Sequence, residues 1–426
     1  MNIYKYPDAL LLESLLRRPV PAGEDLTALV AEVFAAVAAE GDAAVRAYAR
    51  RFEGQAPARL EVSPEEVEAA AAAVPPALRE ALERAAANIR RFHEGQLQRE
   101  EAVETAPGVR CWREVRPLER VGLYIPGGTA PLFSTVLMLA VPAALAGCDE
   151  VVLCTPPGAG GTVHPAILYA ARLGGVHRLF RAGGIQAVAA MALGTATIPR
   201  VDKIFGPGNR YVTAAKQYAL QHGTAIDMPA GPSEVLVLAD DTARPAWVAA
   251  DLLSQAEHGP DSQVILVTWS EALAAAVAEE TPRQLASLPR RDIAAQALDH
   301  ARIIVARDAQ EAVAVSNRYA PEHLIVATAD PRSLLPAIRH AGSVFLGHHT
   351  PESAGDYASG TNHTLPTAGY ARTYGGVSVE DYVKKMTVQE ITAEGLRQLA
   401  PVITTMARAE NLEAHARAVE IRNPHA

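Results

Sequence analysis

The sequence predicts an α/β fold in which parallel sheets are covered by helices, and three observations predict it. From about Val109 onward, short β-branched runs alternate with helical stretches as strand, loop, helix for most of the chain. Alternation of this kind builds a parallel sheet covered by helices. Glycine–proline loops punctuate the strand ends. At 426 residues the chain exceeds what one ordinary core buries, so two or more domains are expected.

A short arm, residues 1–23, ends in Pro19, Pro21 and Gly23. Residues 25–95 carry apolar side chains at helical spacing, and their abundant alanine favours helices. Ser63 and Pro64 mark a helix start, the hydroxyl as N-cap and proline as first helical residue. Residues 121–125 read as a strand, 126–129 as the turn after it, and 134–146 as a helix. A buried-type strand at 150–154 leads into a Thr-Pro-Pro-Gly loop, followed by a helix at 164–173 and a strand at 177–180. Further strands are expected at 203–205, 234–238 and 263–267, and another α/β stretch at 301–346. From about Gly376 the chain looks helical and amphipathic, with no strand, and no internal repeat is evident. Ligands of such sheets sit at the C-terminal strand ends, so the loops after Ile125, Cys154, Phe180 and Phe205 are expected to line a site.

Composition narrows the function classes. Hydrophobic residues make up 49% and charged residues 20%, an ordinary globular balance. A formal charge of −9 with no basic block argues against nucleic acid as a partner. Cys111, Cys148 and Cys154 form no CxxC and no paired framework, which points to a reducing compartment. The N-terminus has no signal-peptide layout, and the longest apolar stretch, 136–146, is interrupted by Pro142 and too short to span a bilayer. A soluble, cytoplasmic protein with no membrane partner is therefore expected.

Four constellations could carry chemistry. Gln255 and His258 lie three residues apart at a helix end, on one face, and offer an amide oxygen and an imidazole to a metal; a histidine there is more often a cap or core residue. Glu322 and His323 follow a proline at a strand entrance, where His323 suits reversible proton transfer, although a plain surface turn fits equally. The polar segment 351–363 contains Asp356, a possible metal carboxylate, and His363, a possible ligand donor. Glu410 and His415 sit on a helix that could equally be a solvated face. The loops at 202–209 and 230–234 let backbone approach a phosphate or carboxylate, but no GxGxxG exists, and GAGGTV at 158–163 is only a near miss.

Taken together, the segments VGLYIPGGTAPLFSTVLMLAVPA, VDKIFGPGN, DMPAGPSEVLVLADD, DLLSQAEHGPDSQVILVT, APEHLIV, AGSVFLGHHTPESAGDYASGTNHTLPT, KMTVQE and AENLEAHARAV closely resemble the histidinol dehydrogenase family. The resemblance spans nearly the whole chain in order. It implies NAD- and zinc-dependent four-electron oxidation of L-histidinol to L-histidine through a bound aldehyde, the last steps of histidine biosynthesis. By this resemblance Gln255, His258, Asp356 and His415 are the zinc ligands, and these four with Ser233, His323, His363 and Glu410 contact substrate. His323 is the general base, Glu322 activates water, and Tyr124, Gln186 and Asn209 contact NAD. The family's two Rossmann-like domains lack the glycine fingerprint, as this chain does, and its homodimer shares active sites through a crossing C-terminal tail. The expected division is an arm at 1–23, a first α/β domain at 24–115 and 234–375, a second, NAD-contacting α/β domain at 116–233, and a helical tail at 376–426. Two rivals are a zinc hydrolase, for which HExxH is missing, and a non-catalytic dimeric scaffold. Cys154 could be a thiol nucleophile for an aldehyde, but both Cys148 and Cys154 are expected in the packed sheet.

Overall fold

The computed structural model describes residues 1–19, 25–96, 101–127, 130–229 and 231–422. Pro21, Gly23, Ala230 and the last two residues of the turn expected at 126–129 lie outside the described residues. Two parallel sheets carry the fold. The first runs Asn2–Lys5, Arg302–Val305, Gln263–Thr268, Glu234–Ala239, His323–Ala327, Ser343–Leu346. Its two central strands, EVLVLA and QVILVT, are buried throughout, as a sheet covered on both faces requires. The second runs Arg178–Arg181, Glu150–Thr155, Arg120–Tyr124, Lys203–Phe205, Ala225–Ile226.

In each sheet the earliest of five core strands is central, the next two lie to one side and the last two to the other. This is the order of the first five strands of the classic six-stranded dinucleotide-binding sheet. The sequence shows no repeat, yet the topology repeats, because strand order constrains burial and connection and leaves residue identity free.

The expected strands and helices between residues 25 and 346 form within a few residues of their predicted bounds. The Ser63 hydroxyl accepts from Glu66 N at 3.3 Å while Ser63 N donates to Glu66 Oε2 at 2.9 Å, a reciprocal capping box. Cys148 and Cys154 are buried, and burial raises both thiols, Cys148 to about 12. Neither thiol ionises easily.

Three features differ from expectation. The helices Thr27–Glu40, Asp42–Glu53, Pro64–Ala73 and Pro76–Glu94 pack on the second sheet: Val30, Phe34 and Val37 join Tyr124, Val152 and Phe180, while Leu82 and Ile89 join Val121 and Leu123. Grouping residues 24–115 with 234–375 does not match this packing, because an apolar helix stripe says that it is buried without saying against which sheet. The N-terminal arm supplies an edge strand, Asn2–Lys5 pairing parallel with Arg302–Val305. The C-terminal region, expected to be free of strand, contains Val383–Ile391, paired antiparallel along its length with Val109–Pro117 in a third sheet completed by Val103–Ala106. Most of its side chains are exposed, so no half-buried alternation marked it. Beyond it the tail is helical, Ala393–Ala409 and Glu413–Glu420. No described helix is long and apolar enough to cross a membrane.

Candidate active site

Four segments meet at the N-terminal edge of the first sheet. Register pairs His323 with Val235, which sets Glu322 and His323 beside Ser233 and Glu234. The helix Pro245–Ala256 runs back from the far edge and delivers Gln255 on its last turn. His258 lies just beyond that helix, its N–H donating to Gln255 O at 3.2 Å, so a turn, and not the expected helical face, keeps the two together. The short helix Glu352–Tyr357 presents Glu352 and Asp356 four residues apart on one side. The segment after it crosses to the second sheet's helix Phe133–Ala146: Asn362 Nδ2 donates to Met138 O at 2.6 Å, and His363 Nε2 is 3.4 Å from Thr135 Oγ1. The site therefore lies where the two sheet units touch.

Donor atoms of His258, Glu352 and Asp356 all lie within 4.8 Å of one another. Nε2 of His323 is 3.7 Å from Asp356 Oδ1, and its Nδ1 is 3.6 Å from Glu322 Oε2 and 3.9 Å from Glu352 Oε1. The carbonyl of Glu234, 3.0 Å from Nδ1, can only accept, so Nδ1 carries the ring proton. That leaves Nε2 a bare acceptor, buried and without a hydrogen-bond partner among the described residues.

Burial lowers His323 to about 3 and His363 to about 4, with the His258 ring adding to both. His258 is lowered by burial too, although one flank reaches solvent. The acids move the opposite way: burial raises Asp251 and Asp356 to about 7 and lifts Glu322 and Glu352 well above the carboxylate range. Among the described residues, the only ion-pair partner of Glu322, Glu352 or Asp356 is His323.

Glu234 ties the pair in place. Its N–H donates to Glu322 Oε2 at 2.8 Å and its carbonyl holds His323. Its own carboxylate takes Arg18 Nε at 2.5 Å and Ala368 N at 2.8 Å. The N-terminal segment thus braces the site through a mostly buried ion pair.

The residues expected at a nucleotide gather at the C-terminal edge of the second sheet. Tyr124 Oη accepts from Gly184 N at 3.0 Å, and Gln186, fully buried, donates to Glu53 Oε1 at 2.9 Å. Asn209 caps the helix Arg210–Gln221, accepting from Tyr211 N at 3.1 Å and Val212 N at 3.2 Å. Gly206, with φ +125°, allows that loop to approach Tyr124, whose carbonyl a Cβ would meet at 2.1 Å.

Glu410, which caps the end of helix Ala393–Ala409, and His415, on helix Glu413–Glu420, are exposed, and within one chain they do not join the cluster among the described residues. Sequence reasoning missed Glu352, Asp251, Glu234 and Arg18. The signal for Glu352 was its i,i+4 spacing to Asp356; Asp251 stands in the same relation to Gln255.

Two covered parallel sheets with a buried imidazole–carboxylate cluster at their contact define an α/β enzyme whose site has the mixed donors of a metal centre. The chain belongs to the histidinol dehydrogenase family, a family of oxidoreductases, whose model matches residues 16–423. Similar relatives include histidinol dehydrogenases of Bacteroides thetaiotaomicron, 54% identical over 99% of both chains, and of Vibrio cholerae, 55% identical over 96% of this chain and 95% of that one. The crystal structure of histidinol dehydrogenase from Elizabethkingia anophelis superposes with a TM-score of 0.98 at 52% identity, covering 100% of this chain and 98% of the other.

Proposed function

We infer that the protein oxidises L-histidinol to L-histidine in histidine biosynthesis, using two NAD per substrate and a bound zinc ion. The observation that carries this reading is the fixed tautomer of His323: a neutral ring with Nε2 free, beside carboxylates, inside a chain of this family. The donors fit zinc, since His258 Nδ1 or Nε2 and Asp356 Oδ converge within 4.8 Å, Gln255 borders them, and the buried acids lack a cationic partner among the described residues. When bound, zinc supplies a Lewis acid that orients the amine and imidazole of the substrate, and NAD supplies a two-electron acceptor.

The chain's own residues do the rest. His323 Nε2 takes the hydroxyl proton as a hydride leaves the carbinol carbon, giving the aldehyde. Glu322, made more basic by burial, takes a proton from water as the oxygen adds to the aldehyde carbon. Once its first proton has passed to solvent, His323 takes the remaining hydroxyl proton of the resulting diol anion as the second hydride leaves, and the carboxylate forms. Together one alcohol, one water and two NAD give one carboxylate, two NADH and three protons. Ser233 and His363 border the same space and serve substrate binding, while Tyr124, Gln186 and Asn209 serve NAD.

Glu410 and His415 complete the site from a partner subunit in this reading. The C-terminal helices support it, leaving Val402, Met406, Leu412 and Ile421 between 42% and 78% exposed, which a second chain would cover. A cytoplasmic location fits a pathway enzyme whose three cysteines are free, two of them buried. The test separates the half-reactions: Glu322→Gln should retain hydride transfer from histidinol and lose oxidation of supplied histidinaldehyde by 10²-fold or more, on the order of a general base. Equal loss of both would remove the separate role of Glu322.

A further inference from the structure

We propose that Glu352 is a charged member of the metal centre, supplying the second negative charge that a buried divalent cation needs. The inference rests on the zinc reading above and concerns a residue outside the ligand set that the family resemblance implies.

Three observations carry it. The first is placement. Glu352 is 1% exposed, and its carboxylate shares with His258 and Asp356 a space in which all donor atoms lie within 4.8 Å. The helix Glu352–Tyr357 fixes it on the same side as Asp356.

The second is the carboxamide of Gln255, which can sit in two ways. With Oε1 toward Glu352, two acceptor oxygens face each other with no hydrogen between them. With the amide turned, its N–H donates to Glu352 Oε1 and its oxygen accepts from Glu234 N at 3.0 Å. The turned form satisfies the ion-free protein. The other form presents Gln255 Oε1 and Glu352 Oε1 side by side, an arrangement that either a proton on Glu352 or a cation in its place stabilises. Any ion that takes the Gln255 oxygen therefore meets the Glu352 carboxylate.

The third is charge. Among Gln255, His258, Asp356 and His415 only Asp356 is anionic, against two positive charges on zinc. Burying an uncompensated charge is strongly unfavourable, whereas Asp356 and Glu352 together neutralise the ion. The partnerless Nε2 of His323, 3.7 Å from Asp356, opens onto the same space.

The experiment uses the full chain stripped of metal and titrated with zinc against a chromophoric chelator. Glu352→Gln keeps shape and hydrogen bonding but removes the charge; Glu352→Asp keeps the charge. We expect Glu352→Gln to weaken zinc binding 10- to 100-fold, the range seen when the partners of metal ligands are removed, with the metal-free Tm not lowered. Glu352→Asp should bind zinc more tightly than Glu352→Gln. Zinc affinity of Glu352→Gln within twofold of wild type, or equal weakening in both variants, would overturn the role of charge. Failure of the wild type itself to bind zinc would instead overturn the metal reading on which this one stands. If Glu352→Gln does not fold without metal, the comparison of Glu352→Asp with wild type decides: zinc binding weakened by about 100-fold or more, although the charge is kept, contradicts the proposal.

Discussion

His323 sits among acids and yet is held neutral, because burial outweighs the hydrogen bond to the Glu234 carbonyl, and the His258 and His363 rings add to the effect of burial. The Glu234 carbonyl fixes its proton on Nδ1, so proton acceptance falls to Nε2 alone. Replacing His323 with Asn removes that acceptor from both oxidations, and kcat should fall 10²- to 10⁴-fold in each half-reaction; loss in only one, measured by NADH release from histidinol and from histidinaldehyde, would assign the other to a different base. At this scale the sequence was informative where residue types clustered locally, as in Glu322–His323. It was silent on Glu234, whose backbone positions that pair across two strands. Arg18, more than 200 residues away, escaped notice for the same reason: its ion pair is created by the fold and leaves no local pattern.

Local helices and loops were legible when their own side chains wrote the signal. The capping box of Ser63 and Glu66 is such a case, and Ser63→Ala should cost about 1 kcal/mol of unfolding free energy, read by denaturant titration. Val383–Ile391 is the opposite case, a strand whose partner lies far back in the chain and whose faces are mostly exposed. The junction of helix Asp42–Glu53 with the second sheet has a pH signature. Burial raises Glu53 to about 7 while Gln186 holds it at 2.9 Å. A carboxyl raised in the folded state binds its proton more tightly there than when unfolded, so its contribution is full below the ordinary value near 4.5 and is lost as pH rises through about 7. Glu53→Gln should flatten that fall: its Tm relative to wild type should climb between pH 5 and pH 8, and a constant difference would contradict the assignment. At the loop after Phe205, Gly206→Ala drives a methyl to 2.1 Å from the Tyr124 carbonyl. The expected result is a raised KM for NAD with a smaller change for histidinol; unchanged kinetics would mean the loop yields freely.

Across the whole molecule, the proposed function divides the labour between two sheets of one strand order, and that division was only half visible beforehand. The rule that ligands lie at C-terminal strand ends points to the cluster of Tyr124, Gln186 and Asn209 on the second sheet, which the proposed reading gives to NAD. It does not point to the proposed catalytic pair, because Glu322 and His323 stand at the N-terminal ends of the first sheet. That edge becomes a site because it abuts the other unit, through His363 and Thr135, and contact between units is not written in periodicity. Glu410 and His415 extend the argument to a second chain. A His415→Ala chain mixed with a His323→Asn chain, each nearly inactive alone, should regain roughly a quarter of wild-type activity after random reassortment, since half the dimers then hold one intact site of two. No recovery would place both residues in one subunit's site. The central claim is a four-electron oxidation at a metal-dependent site, and the stoichiometry of NADH tests it most directly. Limiting L-histidinol with excess NAD should give two NADH per substrate, abolished by a chelator and restored by zinc; one NADH with free aldehyde, or full turnover in the chelated protein, would contradict the account.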